Sequence, residues 1–134
     1  MERPQVAVGA IAVVDDHLCM VRRATEPHMG YWSIPGGRVE AGETMAEALV
    51  REFAEETGLD CFCGPLVGYV ERIDDNFHFL IMDFEVTVLD PDSPTPGSDA
   101  SEVEWVHLPM VVERHVVPGL IEFLADHGYI DVVP

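Results

Sequence analysis

The sequence predicts an α+β (mixed α/β) domain, a mixed β-sheet core flanked by helices. Three observations carry this expectation. Runs of β-branched and apolar residues occur towards both ends of the chain. One long amphipathic helix, signalled at its start and its stop, lies between them. The 134 residues, 48% of them hydrophobic, are enough to bury one ordinary core, so a single domain over residues 1–134 is expected.

The elements follow in order. Val6 to Val14 is β-branched and small and reads as a buried strand. Asp15-Asp16-His17 is a turn, and Leu18 to Val21 returns as a second strand ending in Arg22-Arg23. Ala24 to Gly30 is a loop. Tyr31 to Ile34 is extended, since Pro35 disfavours helical geometry in the residue before it. Gly36-Gly37 leads into a loop from Arg38 to Gly42. Thr44 with Glu47 makes a capping box for a helix to Thr57, with Ala46, Leu49, Val50, Phe53 and Thr57 as its core stripe and Gly58 as its stop. Phe62 to Arg72 and Phe77 to Leu89 are strands around an Asp74-Asp75-Asn76 turn. Asp90 to Ser101, rich in Pro, Gly, Ser and Asp, is expected to be a mobile loop. Val103 to Leu108 is a further strand. Pro118 to Asp126 is a second helix stopped by Gly128.

Charge narrows the function. Seven basic residues, all arginine, against 25 acidic ones leave −18. Such a surface repels nucleic-acid polymers and anionic membranes. Small anionic substrates remain, provided a cation stands between them and the protein. Three cysteines without zinc-site spacing read as reduced thiols. No apolar run reaches the ~20 residues of a membrane span. The start, Met1-Glu2-Arg3-Pro4, lacks signal-peptide character, so a cytoplasmic location is expected.

The residues with chemistry lie between Gly37 and Leu59. Glu52, Glu55 and Glu56 fall within about 100° of one another on the helix, at ~100° per residue. Carboxylates at these spacings repel one another, and a hard divalent cation, Mg²⁺ or Mn²⁺, gives them a use. Glu47 and Arg51 stand in the favourable i,i+4 order, and Arg51 also reaches Glu55. Gly36-Gly37 lets the backbone approach a metal or phosphate closely.

The spacing is Gly37, five residues, Glu43, seven residues, then Arg51-Glu52-Phe53-Ala54-Glu55-Glu56-Thr57-Gly58-Leu59. This resembles the Nudix box of the Nudix hydrolases at every specified position. Seven fixed identities at ordinary residue frequencies match by chance at about 10⁻⁸ per start position. The segments Val8 to Val14, Arg22-Arg23-Ala24, Trp32 to Gly37 and Glu104-Trp105-Val106 fit the flanks, so the resemblance covers roughly residues 5 to 127.

The resemblance implies an αβα sandwich and Mg²⁺-dependent hydrolysis of a nucleoside diphosphate linked to another moiety. It assigns the metal to Glu52, Glu55, Glu56 and the Gly36 carbonyl, and gives Arg51 the orientation of carboxylates including Glu43. Glu52 or Glu56 can serve as base, as can Asp99 or Glu102 on the later loop. Arg22, Arg23, Arg38 and Gly37 are candidates for phosphate contact. Trp32, Phe77 and Phe79 are candidates for base stacking. Arg22-Arg23-Ala24 with His28-Met29 is similar to the MutT-type branch, which cleaves nucleoside triphosphates, oxidised ones included. Tyr31 to Gly37 is similar to the ADP-ribose and nucleotide-sugar branch. His115-Val116-Val117 stands where the MutT branch places a base-reading asparagine, which ranks an ADP-ribose or nucleotide-sugar substrate first. A nucleotide-sensing protein without turnover is the alternative from another class, and a monomer or homodimer is expected.

Overall fold

The computed structural model describes residues 3–131. Its centre is β1 (Gln5–Val14), an apolar strand buried on both faces along most of its length. β1 pairs in parallel with β6 (His78–Val88) and antiparallel with the short β4 (Gly36–Arg38). β5 (Cys61–Ile73) closes that side against β6 as an antiparallel neighbour. At its far end β1 turns into β2 (His17–Arg23), which also pairs with β3 (Trp32–Ser33) and β7 (Ala100–His107). Asp15 and Asp16 both take positive φ, 50° and 61°. That is the two-residue hairpin geometry whose twist matches the strands it joins. The turn is therefore tighter than expected, and His17 already belongs to β2.

Alternation along β1 divides the core. Val8, Ala10 and Ala12 face α1 (Met45–Thr57) and meet Ala48, Leu49 and Phe53. Ile11 faces α2 (Leu120–Asp126) and meets Leu120, Phe123 and Leu124 together with Leu18, Met20 and Val106. The result is a mixed sheet between helices, as expected. The Thr44–Glu47 capping box is present in both directions, and Gly58 caps the C-terminus at φ 73°. Glu47 closes that box and does not pair with Arg51. Ala46 is exposed and Ala48 buried in its stead, so the packed face of α1 is rotated towards Glu52 and Glu56.

Other boundaries differ from expectation. Gly36–Arg38 is a strand, because Gly36 and Gly37 lie flat against β1. A Cβ at Gly36 would collide with the carbonyl of Val8. A 3-10 helix, Leu108–Glu113, follows β7. Pro118 precedes α2, which Gly119 opens at φ 89°. The segment from residue 90 to 99 is pinned to α1: Thr95 donates its amide to the Thr57 carbonyl at 2.7 Å and Gly97 to that of Glu56 at 3.1 Å. Its Pro- and Gly-rich composition thus serves close docking on the helix end, not the mobility expected of it.

Candidate active site

The Thr44 cap sets the phase of α1, and that phase decides what each glutamate meets. At ~100° per residue Glu56 falls between Glu52 and Leu49 on the helix, inside the packed face that runs from Ala48 to Thr57. The sheet makes room with glycine. The amide of Gly36 donates to Glu56 Oε2 at 3.0 Å, and a Cβ at Gly37 would collide with the Glu52 carboxylate. Burial pushes the Glu56 carboxyl up to about 8; the Gly36 amide and Arg23 oppose this, while Glu52 and Asp99 add to it. Burial also raises Glu52, outweighing the pull of Arg51.

Arg51 organises the outer carboxylates. Its Nε donates to Glu43 Oε2 at 2.7 Å and its Nη2 to Glu43 Oε1 at 2.9 Å, a two-point grip that a planar fork provides. Nη1 donates to Glu52 at 2.7 Å and to Glu55 at 3.3 Å, and Nη2 to the Arg38 carbonyl at 3.1 Å. The hydrogen bonds from Arg51, with one from the Glu40 amide, hold Glu43 down to about 2. Glu55 lies at the exposed edge of this network.

A cleft of about 710 Å³ begins here, lined at this end by Glu52, Glu56, Asp99, Gly36, Gly37, Arg23 and Arg38. Asp99 is held beside Arg23 by its carbonyl, which accepts the Ala24 amide at 3.1 Å. Three sequence candidates lie elsewhere. Arg22 and Glu102 face each other across β2 and β7 and pair at 3.0 Å, outside the cleft lining. Trp32 is 9% exposed in the α2-side core, its ring covered by the Arg114 guanidinium at 4.8 Å, and offers no stacking face. A strand pattern does not say which side of the sheet a tryptophan takes. Phe77 and Phe79 do line the cleft. They are 5.3 Å apart, with Arg38 5.7 Å over Phe79. The sequence reading missed Arg72 and Asp83, which line the far end. The signal for Asp83 was a lone acid in the apolar run from Phe77 to Leu89.

Among the described residues no three acidic, histidine or cysteine side chains converge as a finished metal cage. The donors nevertheless suit a hard cation: Glu56 is a half-buried carboxylate with one amide partner and two acidic neighbours. The family model of the NUDIX domain matches residues 3–127. The chain belongs to the Nudix family. This Nudix chain is 36% identical over 107 residues to the ADP-ribose pyrophosphatase of Methanocaldococcus jannaschii, covering 78% of itself and 63% of that protein. It is 29% identical over 125 residues to the human 8-oxo-dGDP phosphatase NUDT18, covering 91% of itself and 39% of that protein. The chain thus spans less than two thirds of either relative. The crystal structure of the MutT protein from Methanosarcina mazei shares the fold, with TM-score 0.83 at 22% identity and 92% of both chains covered. No described helix is long and apolar enough to cross a membrane.

Proposed function

We propose that this Nudix chain is a Mg²⁺-dependent pyrophosphohydrolase, with Mn²⁺ as the other usable ion, acting on a nucleoside diphosphate linked to a sugar. The observation that carries the reading is the half-buried Glu56 beside Glu52 and Asp99 at the end of a cleft large enough for a nucleotide. Glu52, Glu55, Glu56 and the Gly36 carbonyl would hold the ion. Bound there, it would neutralise diphosphate oxygens and supply an acidic water. Arg51 holds Glu52 and Glu55 in place and is itself fixed by Glu43. Arg23 and Arg38, the cleft's basic residues at this end, bind phosphate oxygens. Asp99 is the stronger candidate for the base that takes the proton from water, since Glu102 is held by Arg22.

The M. jannaschii relative's name supports the ADP-ribose or nucleotide-sugar class. The human relative's name supports oxidised guanine nucleotides as the second reading. The test is product release from ADP-ribose, nucleotide sugars and normal and oxidised nucleoside triphosphates, with Mg²⁺ and with chelator. Metal-dependent cleavage of a diphosphate sugar is expected, with a loss of about a thousandfold or more in kcat for Glu56→Gln. Absence of turnover on the whole panel, or full activity in Glu56→Gln, would refute the proposal. Far better turnover of oxidised triphosphates would invert the two substrate readings.

A further inference from the structure

One row of the sheet carries almost no side chains. In register across β4, β1, β6 and β5 stand Gly36, Gly9, Asp83 and Gly68. Asp83 is the one residue in that row with a side chain, and it is 4% exposed. Its carboxylate leans over Gly9, where a Cβ would collide with Oδ1. Oδ1 has no hydrogen-bond partner, and no ion pair reaches the group among the described residues. Arg72 is near enough to act through its charge, but its guanidinium lies against Gly119.

A buried carboxylate without partners lowers stability, so a structural role does not account for it. Its position does. Asp83 lines the same cleft as Glu52 and Glu56, at the end walled by Phe79, Ile81, Leu120 and Phe123. That end is apolar and aromatic, apart from one acceptor, Asp83, and two guanidinium donors, Arg72 and the Arg38 that lies 5.7 Å over Phe79. A flat heterocycle with an N–H group on its rim fits this chemistry, with its phosphates running back towards Arg23.

We infer that Asp83 accepts a hydrogen bond from the exocyclic amino group of the substrate's nucleobase and so selects aminated bases over their oxo counterparts. This rests on the nucleotide reading above and deepens it. An amino group presents a donor to the carboxylate. The carbonyl that replaces it presents a second acceptor, which the ionised carboxylate cannot pair with. Since burial pushes the Asp83 carboxyl up to about 7, the contrast is read at about pH 8, where the group is ionised. Adenine, guanine and cytosine carry the group; hypoxanthine, xanthine and uracil, in that order, carry a carbonyl in its place.

The test compares kcat/KM for ATP against ITP, for GTP against XTP and for CTP against UTP, in wild type, Asp83→Asn and Asp83→Ser. The same contrast is read without turnover by calorimetric binding of AMP, GMP and CMP against IMP, XMP and UMP respectively, in the presence of Mg²⁺. In wild type at least one aminated base is expected to exceed its oxo counterpart by about tenfold or more, and the winning pair identifies the base. Both variants should flatten that ratio mainly through KM, since asparagine presents donor and acceptor alike. Oxo bases used as well as aminated ones by the wild type would overturn the inference even if hydrolysis is observed. So would a preference that survives in both variants. Failure of all hydrolysis with Asp83-dependent monophosphate selection intact would instead refute the pyrophosphohydrolase reading and leave Asp83 as the base reader.

Discussion

Asp83→Asn should remove a pH dependence from the stability of the fold. Burial pushes the Asp83 carboxyl from 3.8 up to about 7, with Arg72 pulling weakly the other way. In the unfolded chain the same acid ionises near 4. Between these values the folded protein keeps a proton that the unfolded chain has released. The stability from this group is therefore complete below about pH 4 and is lost as pH rises through about 7. About three units at ~1.4 kcal/mol each amount to about 4 kcal/mol, a large fraction of a domain's total.

Asparagine keeps the volume and has no proton to lose. Its own unpaired amide shifts the variant's curve by a constant that does not vary with pH. Glu56, also raised by burial, tilts both proteins alike and cancels in the difference. Urea unfolding of both proteins between about pH 5 and 8, with chelator and at fixed ionic strength, gives that difference directly. The stability of Asp83→Asn relative to wild type should climb by ~1.4 kcal/mol per pH unit up to about pH 6.5 and level off above about 7.5. Parallel curves would show that the carboxylate is paired or solvated in the folded protein, and the reasoning about its isolation would fall with it.

Two further outcomes follow from the carboxylate end of the cleft. Arg51→Lys keeps the charge but loses the fork that grips Glu43 at two points. Metal-activation curves should shift to higher Mg²⁺ with KM at saturating metal nearly unchanged, whereas a raised KM with unchanged metal dependence would mean direct substrate contact. Mg²⁺ should raise the melting temperature of the wild type by mass action, about 2.7 kcal/mol at a hundred times its Kd. Glu56→Gln should melt at or above wild type in chelator and gain less from Mg²⁺; an equal gain in both would exclude Glu56 as a significant ligand.

What the sequence made legible is local. α1 was readable from Thr44 to Gly58 because its cap, its stripe and its stop are all short-range signals, and each is realised in the structure. Arg51 was readable as an organiser of carboxylates because helix spacing alone brings it to Glu55. Its grip on Glu43 was named from the box resemblance, and the structure supplies the geometry. What failed depends on pairing between distant segments. Trp32 looked like a stacking platform until the 3-10 helix, α2 and the chain between them, with Val116 bridged to Trp32, enclosed it. Arg22 and Glu102 each looked available until β2 met β7 in register. Asp83 was passed over within an apolar strand, because its meaning comes from the glycines that β1 and β5 set beside it.

Those glycines also change what Gly36-Gly37 means. The sequence suggested that they bring backbone close to a metal or phosphate. In the structure each inner carboxylate of the cleft rests on a glycine: Glu56 on the Gly36 amide, Glu52 against Gly37, Asp83 over Gly9. A methyl at Gly37 or Gly9 would strike the carboxylate itself. Glycine is here a means of burying acids where a side chain would drive them out. Burial raises all three acids, which costs the folded protein stability while no ligand is bound. The arrangement makes sense where a ligand restores the balance, a cation at Glu52 and Glu56 and an N–H donor at Asp83. A fold selected for stability alone would have filled these positions with alanine and leucine.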